Sequence, residues 1–88
     1  RLFISDSGHH RIVIARPDGS EVLEVIGTGQ AGLEDGPFEK ATFFEPQGLA
    51  LAGDILYVAD RKNHVIRELN LKERSVTTMA GTGSQGHE

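Results

Sequence analysis

Residues 56–66 read Leu56-Tyr57-Val58-Ala59-Asp60-Arg61-Lys62-Asn63-His64-Val65-Ile66. An alternating apolar run ends in an aspartate, a polar turn follows, and a second run of branched residues begins directly after a histidine. This order is typical of two short antiparallel strands joined by a tight connection. Residues 2–12 repeat it, with Asp6 and His10 in the same places. The chain therefore contains two copies of one β-unit.

The second copy lies 54 residues after the first. Residues 2–32 and 56–86 are identical at nine positions, including the triplet Gly-Thr-Gly at 27–29 and 81–83. The apolar phases of 13–21 and 67–75 disagree, which predicts compensating shifts or a β-bulge in that part of the unit.

Inside each copy the hydrophobic period is two, and turn residues divide the runs. The predicted strands are 2–4, 11–14 and 22–26 in the first copy, and 48–52, 55–59, 65–71 and 75–80 in the second. Gly53-Asp54 suits a tight hairpin turn between the first two strands of the second copy. Residues 37–44 could form one short helical turn, because Pro37 fits a first helical position.

A four-stranded antiparallel unit that repeats at this length is typical of a β-propeller blade. We predict an all-β fold of about two such blades, the first without its innermost strand, from a propeller of roughly six blades. The predicted parts are a partial blade at 1–32, an inter-blade loop at 33–46, a complete blade at 47–83 and the start of the next link at 84–88. A β-sandwich is the alternative, but its strands do not usually repeat turn for turn.

Residues 58–67 also resemble the core of an NHL repeat, with Asp60, Asn63-His64 and Ile66 in the usual places. Residues 2–12 resemble a second NHL copy, in which His9-His10 replaces the Asn-His pair. The runs 29–36, 43–50 and 76–83 resemble more narrowly the thioredoxin-fused NHL propellers. That resemblance implies a thioredoxin-like module elsewhere in the parent protein, with the propeller as its scaffold. Arg61-Lys62 departs from the family, because the pair usual there is small or acidic.

The net charge of the 88-residue chain is −4, and the chain has no cysteine. Nucleic-acid binding through a basic surface is therefore not expected, and neither a disulfide nor a cysteine-held metal can form. No apolar run approaches the roughly 18 residues that span a membrane. We expect no cofactor and no membrane contact, and we interpret the chain as a segment of a longer protein, with the cytoplasm as the favoured compartment.

Aspartate and histidine are the residue types of metal and acid–base sites. Because the aspartate and the histidine recur in both copies, we interpret them as parts of the repeat motif. Each aspartate is predicted to accept backbone N–H bonds across the turn that follows it, and each histidine to open the next strand. Zinc binding by His9-His10 is disfavoured, because neighbours in a strand point to opposite faces. The predicted structural motif comprises Asp6, His10, Ile12, Asp60, Asn63, His64 and Ile66.

The Gly-Thr-Gly triplets resemble phosphate loops only superficially, because no helix start follows them. The connection 28–47 is long, and long ordered loops tend to be functional. Phe38, Phe43 and Phe44 are predicted to hold it down, and it should share one rim with the turns 7–9 and 61–63. A plain solvated rim is the alternative. The candidate partner-binding residues of that rim are His9, Glu34, Asp35, Glu39, Lys40, Arg61 and Lys62.

Three functions remain open at this point. A non-catalytic interaction scaffold, binding a protein or peptide on its loop face, is favoured. A metal-dependent propeller lyase or lactonase is the alternative, with its ligands in other blades, because the inner strand 47–52 carries no acid or histidine. RNA binding is opposed by the net charge, with Arg11, Arg61 and Lys62 as a local exception.

Blades bury their broad faces against neighbouring blades of the same propeller. We therefore expect the isolated chain to be unstable or to self-associate, and a monomer that resists dilution in sedimentation would contradict this expectation. The apolar residues expected on the bare outer faces are Leu2, Ile4, Ile12, Leu56, Val58 and Ile66.

Overall fold

The computed structural model describes residues 1–81, and they form an all-β structure, as predicted. Two short 3-10 helices, Ser7–His9 and Arg61–Asn63, occupy the predicted turns. The strands are β1 (Leu2–Asp6), β2 (Arg11–Ala15), β3 (Val22–Ile26), β4 (Gly36–Pro37), β5 (Pro46–Ala52), β6 (Ile55–Asp60), β7 (Val65–Asn70) and β8 (Ser75–Gly81).

The strands form two antiparallel sheets that correspond to the two copies of the repeat. Blade one is a three-stranded sheet in the order β1-β2-β3, and blade two is a five-stranded sheet in the order β4-β8-β7-β6-β5. The two-residue strand β4 was not predicted, and it pairs with the outer edge of β8. The hairpin between β5 and β6 turns at Gly53, whose φ of +62° is easily reached by glycine. The propeller-blade prediction is thereby confirmed.

The hydrophobic core lies between the two blades. Blade one contributes Ile12, Ile14 and Ile26, while blade two contributes Leu56, Val58, Leu69 and Val76. The expectation that Ile12, Leu56 and Val58 are bare is therefore wrong, because the second face of blade one and the first face of blade two cover each other. Leu2 and Ile4 lie on the other face of blade one and are 42% and 40% exposed, as expected. Ile66, on the other face of blade two, is half-buried.

A bulge lies in each blade, but at different places. In blade one the register between β2 and β3 shifts after Ile14, so Leu23 is the additional residue. In blade two the register between β7 and β8 shifts after Ile66, so Met79 is the additional residue. The pairs β1–β2 and β6–β7, which correspond in the two copies, each keep an unbroken register, whereas the register of the β5–β6 pair shifts between Pro46 and Leu49. A register shift therefore does not explain why the apolar pattern of the two copies differs at position 67. The difference arises because Arg67 is buried at the position equivalent to Val13.

The connection between the blades runs along blade two before it enters β5. It follows the edge of β8 through β4, turns where the amides of Lys40 and Ala41 donate to the Pro37 carbonyl, and returns between the blades. A single turn of this kind was predicted for 37–44, although Gly36–Pro37 are extended. Phe38 and Phe43 are buried and Phe44 is half-buried, so the predicted role of the phenylalanines is confirmed.

Parts of the predicted organisation fall beyond the described residues, namely Thr82-Gly83 of the second triplet and the link at 84–88. Between residues 1 and 81, no helix is long and apolar enough to cross a membrane.

Candidate functional site

The two 3-10 helices place the repeated aspartates and histidines in matching positions. Asp6 and Asp60 precede the helices, and His10 and His64 follow them in the left-handed conformation, with φ of 55° and 57°. The histidines therefore lie before the next strand and do not open it. Each turn is closed by a backbone bond, from His10 N–H to the Ser7 carbonyl and from His64 N–H to the Arg61 carbonyl.

Asp60 does not cap its own turn, contrary to the sequence-based prediction. Its carboxylate accepts hydrogen bonds from the Phe44 amide, the Asn63 side-chain amide and the Arg67 guanidinium, each at 2.8 Å. The side chain is fully buried. A buried carboxylate is stable only when hydrogen bonds satisfy its oxygens. Because one of these bonds comes from the Phe44 amide, Asp60 fixes the end of the inter-blade loop to the turn.

Arg67 is the residue that sequence reasoning missed. Its guanidinium is fully buried and donates to the carbonyls of Thr42 and Glu34 and to the carboxylates of Asp60 and Asp35, at 2.7–2.8 Å. Its carbon Cζ lies 4.9 Å from the centre of the Phe43 ring. The signal in the sequence was the basic residue at a position where the first copy has Val13.

Asp35 is exposed, as predicted for a rim residue, but it is not available to a partner. One carboxylate oxygen accepts bonds from Arg67 at 2.8 Å and from the Thr78 hydroxyl at 3.0 Å, and the other accepts the Thr78 amide at 3.1 Å. Asp35 therefore connects the inter-blade loop to β8 by hydrogen bonds.

In blade one, Asp6 bonds His9 and Arg11. The His9 ring nitrogen Nδ1 lies 3.0 Å from one carboxylate oxygen, and Arg11 Nε donates to the other at 2.8 Å. The hydrogen bonds from His9 and then Arg11 hold the pKa of Asp6 below its ordinary value of 3.8.

This lowered pKa predicts a pH dependence of stability. A carboxylate with a depressed folded-state pKa contributes stability above about pH 4, which is lost as the pH falls through the folded-state pKa. We expect the urea midpoint of the wild type to fall more steeply below about pH 4 than that of Asp6→Asn. The control is Asp54→Asn, since Asp54 is exposed and its side chain makes no hydrogen bond within residues 1–81. Equal slopes for the wild type and Asp6→Asn would contradict the prediction.

His10 connects blade one to the start of blade two. Its Nδ1 accepts the Glu45 amide at 3.1 Å, and its ring meets the Phe44 ring edge to face at 5.5 Å. His9 and His10 are not in a strand, so the argument from opposite faces does not apply; their rings are separated because each contacts a different partner. Residues 1–81 contain no group of three or more histidines and acids that could hold a metal ion.

Only some of the residues predicted for the rim lie on one surface. His9, Glu34, Arg61 and Lys62 are exposed beside the two 3-10 helices. Glu45 joins them, since its amide bonds His10 and its carboxylate lies 3.6 Å from Arg61. We call these four exposed residues and the half-buried Glu45 the charged rim.

Glu39 and Lys40 are exposed, but they lie elsewhere. The adjoining Phe38 amide donates to the Arg74 carbonyl, at the other end of β7 from Arg61–Asn63. A strand of six residues separates these ends by about 17 Å. Their assignment to the same rim is wrong, because the inter-blade loop descends along β8 and does not stay at one end of the blades.

The first Gly-Thr-Gly triplet follows β3 and is bonded to the inter-blade loop. The Gly27 amide donates to the Phe38 carbonyl and the Thr28 amide to the Ala41 carbonyl, so these amides are occupied by the protein itself. Gly27 has φ of +107°, and an added Cβ would lie 3.1 Å from the Phe43 ring. Glycine is required here for both the backbone conformation and the close approach of the ring.

No protein-family model matches the chain. Curated proteins do match it: the chain is 46% identical to NHL repeat-containing protein 2 of Gallus gallus over 86 residues, which is 98% of this chain and 12% of that protein. The human protein of the same name is 45% identical over 86 residues, which is again 98% of this chain and 12% of that protein. Protein SUPPRESSOR OF QUENCHING 1, chloroplastic, of Arabidopsis thaliana is 43% identical over 90 residues, covering 100% of this chain and 8% of that protein. The chain thus spans a small part of the length of each relative.

Proposed function

The chain is related to the NHL-repeat proteins along nearly its whole length, and on that premise we propose that it is a non-catalytic segment of an NHL β-propeller that serves as a protein-interaction scaffold. The observation that carries the proposal is the charged rim on a rigid support. Arg61 and Lys62 belong to a turn whose neighbours Asp60 and Asn63 are bonded to the inter-blade loop. A backbone that is already fixed loses little conformational freedom on binding, which favours recognition.

The charge pattern of the rim suits a protein or peptide partner. Arg61 lies 3.6 Å from the Glu45 carboxylate, and Lys62 and Glu34 are exposed, so the rim contains both positive and negative groups. A nucleic acid would require a continuous basic surface to neutralise its phosphates. The mixed pattern instead matches the complementary charges found at the edges of protein interfaces.

Binding is favoured over catalysis by the composition of the inner strand. In β5, Pro46–Ala52, no side chain is acidic or basic. A propeller enzyme would need such groups on inner strands, facing the central channel. The proposal includes a thioredoxin-like module in the parent protein, as the sequence resemblance implies. A parent coding sequence without such a module would contradict that part alone.

Site-specific photo-crosslinking tests the rim. A photoreactive phenylalanine analogue at position 62 should give a discrete adduct in extract of the producing cells, and the same analogue at position 72 should not. Lys72 is the matched control, because it is an exposed lysine in the turn at the opposite end of β7. Glu34→Lys, which reverses one rim charge, should weaken the adduct. Equal adducts at both positions, or none at 62, would overturn the proposed rim.

A further inference from the structure

The chain contains two Asp-Gly pairs, Asp18-Gly19 and Asp35-Gly36. An aspartate that precedes glycine is chemically labile, because the glycine nitrogen can attack the aspartate carboxyl. Glycine has no side chain to block this approach, and its backbone turns more freely than that of any other residue. The two pairs share this chemistry but lie in different structural settings, and the settings decide whether each pair reacts.

The Asp35-Gly36 pair is held in place at both residues. The Arg67 guanidinium and the Thr78 hydroxyl donate to one oxygen of the Asp35 carboxylate at 2.8 and 3.0 Å, and the Thr78 amide donates to the other at 3.1 Å. Gly36 pairs with Val76 of β8. To reach the Gly36 nitrogen, the carboxyl would have to leave a fully buried cation and give up these hydrogen bonds.

The Asp18-Gly19 pair lies in the turn between β2 and β3, where both residues are exposed. The Asp18 carboxylate accepts one hydrogen bond, from the Ser20 amide at 2.9 Å, and its second oxygen has no hydrogen-bond partner within residues 1–81. Gly19 has φ of +77°, and its amide donates only to the Arg16 carbonyl of the same turn, at 2.8 Å. Exposed turn tips of this kind open locally at little cost, so the Gly19 nitrogen can be released for reaction.

We propose that Asp18 is a site of spontaneous isoaspartate formation, and that Asp35 is its protected counterpart. The Gly19 nitrogen bonds to Asp18 Cγ and gives up its proton, while the protonated carboxyl releases its hydroxyl, so that one water leaves and a cyclic succinimide forms. One water then opens the ring at the former main-chain carbonyl of Asp18. The net change is a rearrangement without oxidant or reductant, after which the main chain runs through Asp18 Cβ and Cγ and the α-carboxylate is free.

The rearrangement changes blade one locally. It lengthens the main chain of the turn by one methylene group, so the bond from the Gly19 amide to the Arg16 carbonyl no longer closes the same ring. The turn lies at the end of β2 opposite to the 3-10 helix Ser7–His9, and therefore away from the charged rim. The proposal does not depend on the rim, so either can fail without the other.

Peptide mapping of the 88-residue chain after prolonged incubation at neutral pH tests the proposal. An endoprotease that cleaves after glutamate separates the two aspartates into fragments 1–21 and 35–39, with 25–39 counted where the bond after position 34 resists cleavage. We expect fragment 1–21 to gain a component of unchanged mass and altered retention, at least about tenfold faster than the other fragment. Electron-transfer fragmentation, which distinguishes isoaspartate from aspartate, should place the change at Asp18 and not at Asp6.

Three comparisons separate the effect of structure from that of sequence. Asp18→Glu is the matched control, because the longer side chain keeps the charge but must close a larger and less favoured ring; the new component should disappear. Thr78→Val removes one hydrogen bond from Asp35 and should speed conversion there by roughly twofold to tenfold, with the rate at Asp18 unchanged. In urea the two rates should become similar, because the unfolded chain keeps neither setting.

Several outcomes would overturn the proposal. They are equal rates at Asp18 and Asp35 in the folded chain, no conversion at Asp18, and a component that persists in Asp18→Glu. A difference in rate that is as large in urea as in the folded chain would assign it to the neighbouring sequence, and would overturn the protective role of the contacts made by Asp35.

Discussion

Replacing Arg67 by methionine is expected to lower the free energy of unfolding by about 3–5 kcal/mol. Within residues 1–81, the substitution removes the only cationic partner of the fully buried Asp60 carboxylate. It also leaves the carbonyls of Glu34 and Thr42 without the donors that hold the inter-blade loop. Methionine nearly fills the same space, so the loss reports the missing charge and hydrogen bonds and not a large cavity.

Urea unfolding at neutral pH measures this effect, with Arg61→Met as the matched control. Arg61 is exposed, and its nearest acid is 3.6 Å away, so its replacement should cost less than about 1 kcal/mol. The double variant Asp60→Asn/Arg67→Met should recover part of the loss, because no buried charge is left unpaired. If Arg67→Met does not fold, recovery of a cooperative transition in the double variant is the expected result. Equal effects of Arg67→Met and Arg61→Met would contradict the assigned role.

Phe43→Ala is expected to cost about 3–5 kcal/mol, the range for removing a buried phenylalanine. Phe43 is fully buried between the blades, its ring packs against Gly27, and the Arg67 guanidinium lies over it. Its carbonyl also accepts the Gly32 amide. The substitution should therefore loosen the return of the inter-blade loop as well as open a cavity.

The matched control is Phe44→Ala, which removes the same side chain from a half-buried position and should cost clearly less. Hydrogen exchange of the Gly32 amide should accelerate in Phe43→Ala and not in Phe44→Ala. A double-mutant cycle with Arg67→Met should give a coupling of about 1–2 kcal/mol, since the cation lies on the desolvated ring. Additive losses would indicate that ring and guanidinium do not interact energetically.

The strand order was predictable, because alternation and turn residues are local properties. Leu2, Ile4 and Asp6 have the same positions relative to their turn as Leu56, Val58 and Asp60, so the repeat alone located two blades. Which face of each blade is covered was not predictable from the alternation. Leu2 and Leu56 are equivalent in sequence, yet only Leu56 meets a neighbouring sheet. Burial of equivalent residues depends on the position of the blade in the assembly.

The site was predicted less well, because its central contacts join distant parts of the chain. Arg67 reaches Asp35 across 32 residues, and no periodicity encodes that contact. Asp35 was correctly predicted to be exposed, but exposure does not reveal that Arg67 and Thr78 occupy its oxygens. Glu39 and Lys40 were misplaced because the long inter-blade loop was expected to stay at one end of the blades. The pairing of Gly36–Pro37 with β8 instead carries the loop along the blade.

The short strand β4 also changes how the molecule meets other β-chains. Pro37 has no amide hydrogen, so the strand that covers β8 is a poor template for further pairing. Strand β3 is an edge of blade one and carries exposed Val22, Leu23 and Val25. Glu24 is the only charge within that strand, and it pairs with Arg74 of blade two. At this edge, one of those that the two sheets leave unpaired, the Glu24–Arg74 pair is the charge that opposes pairing with another β-chain.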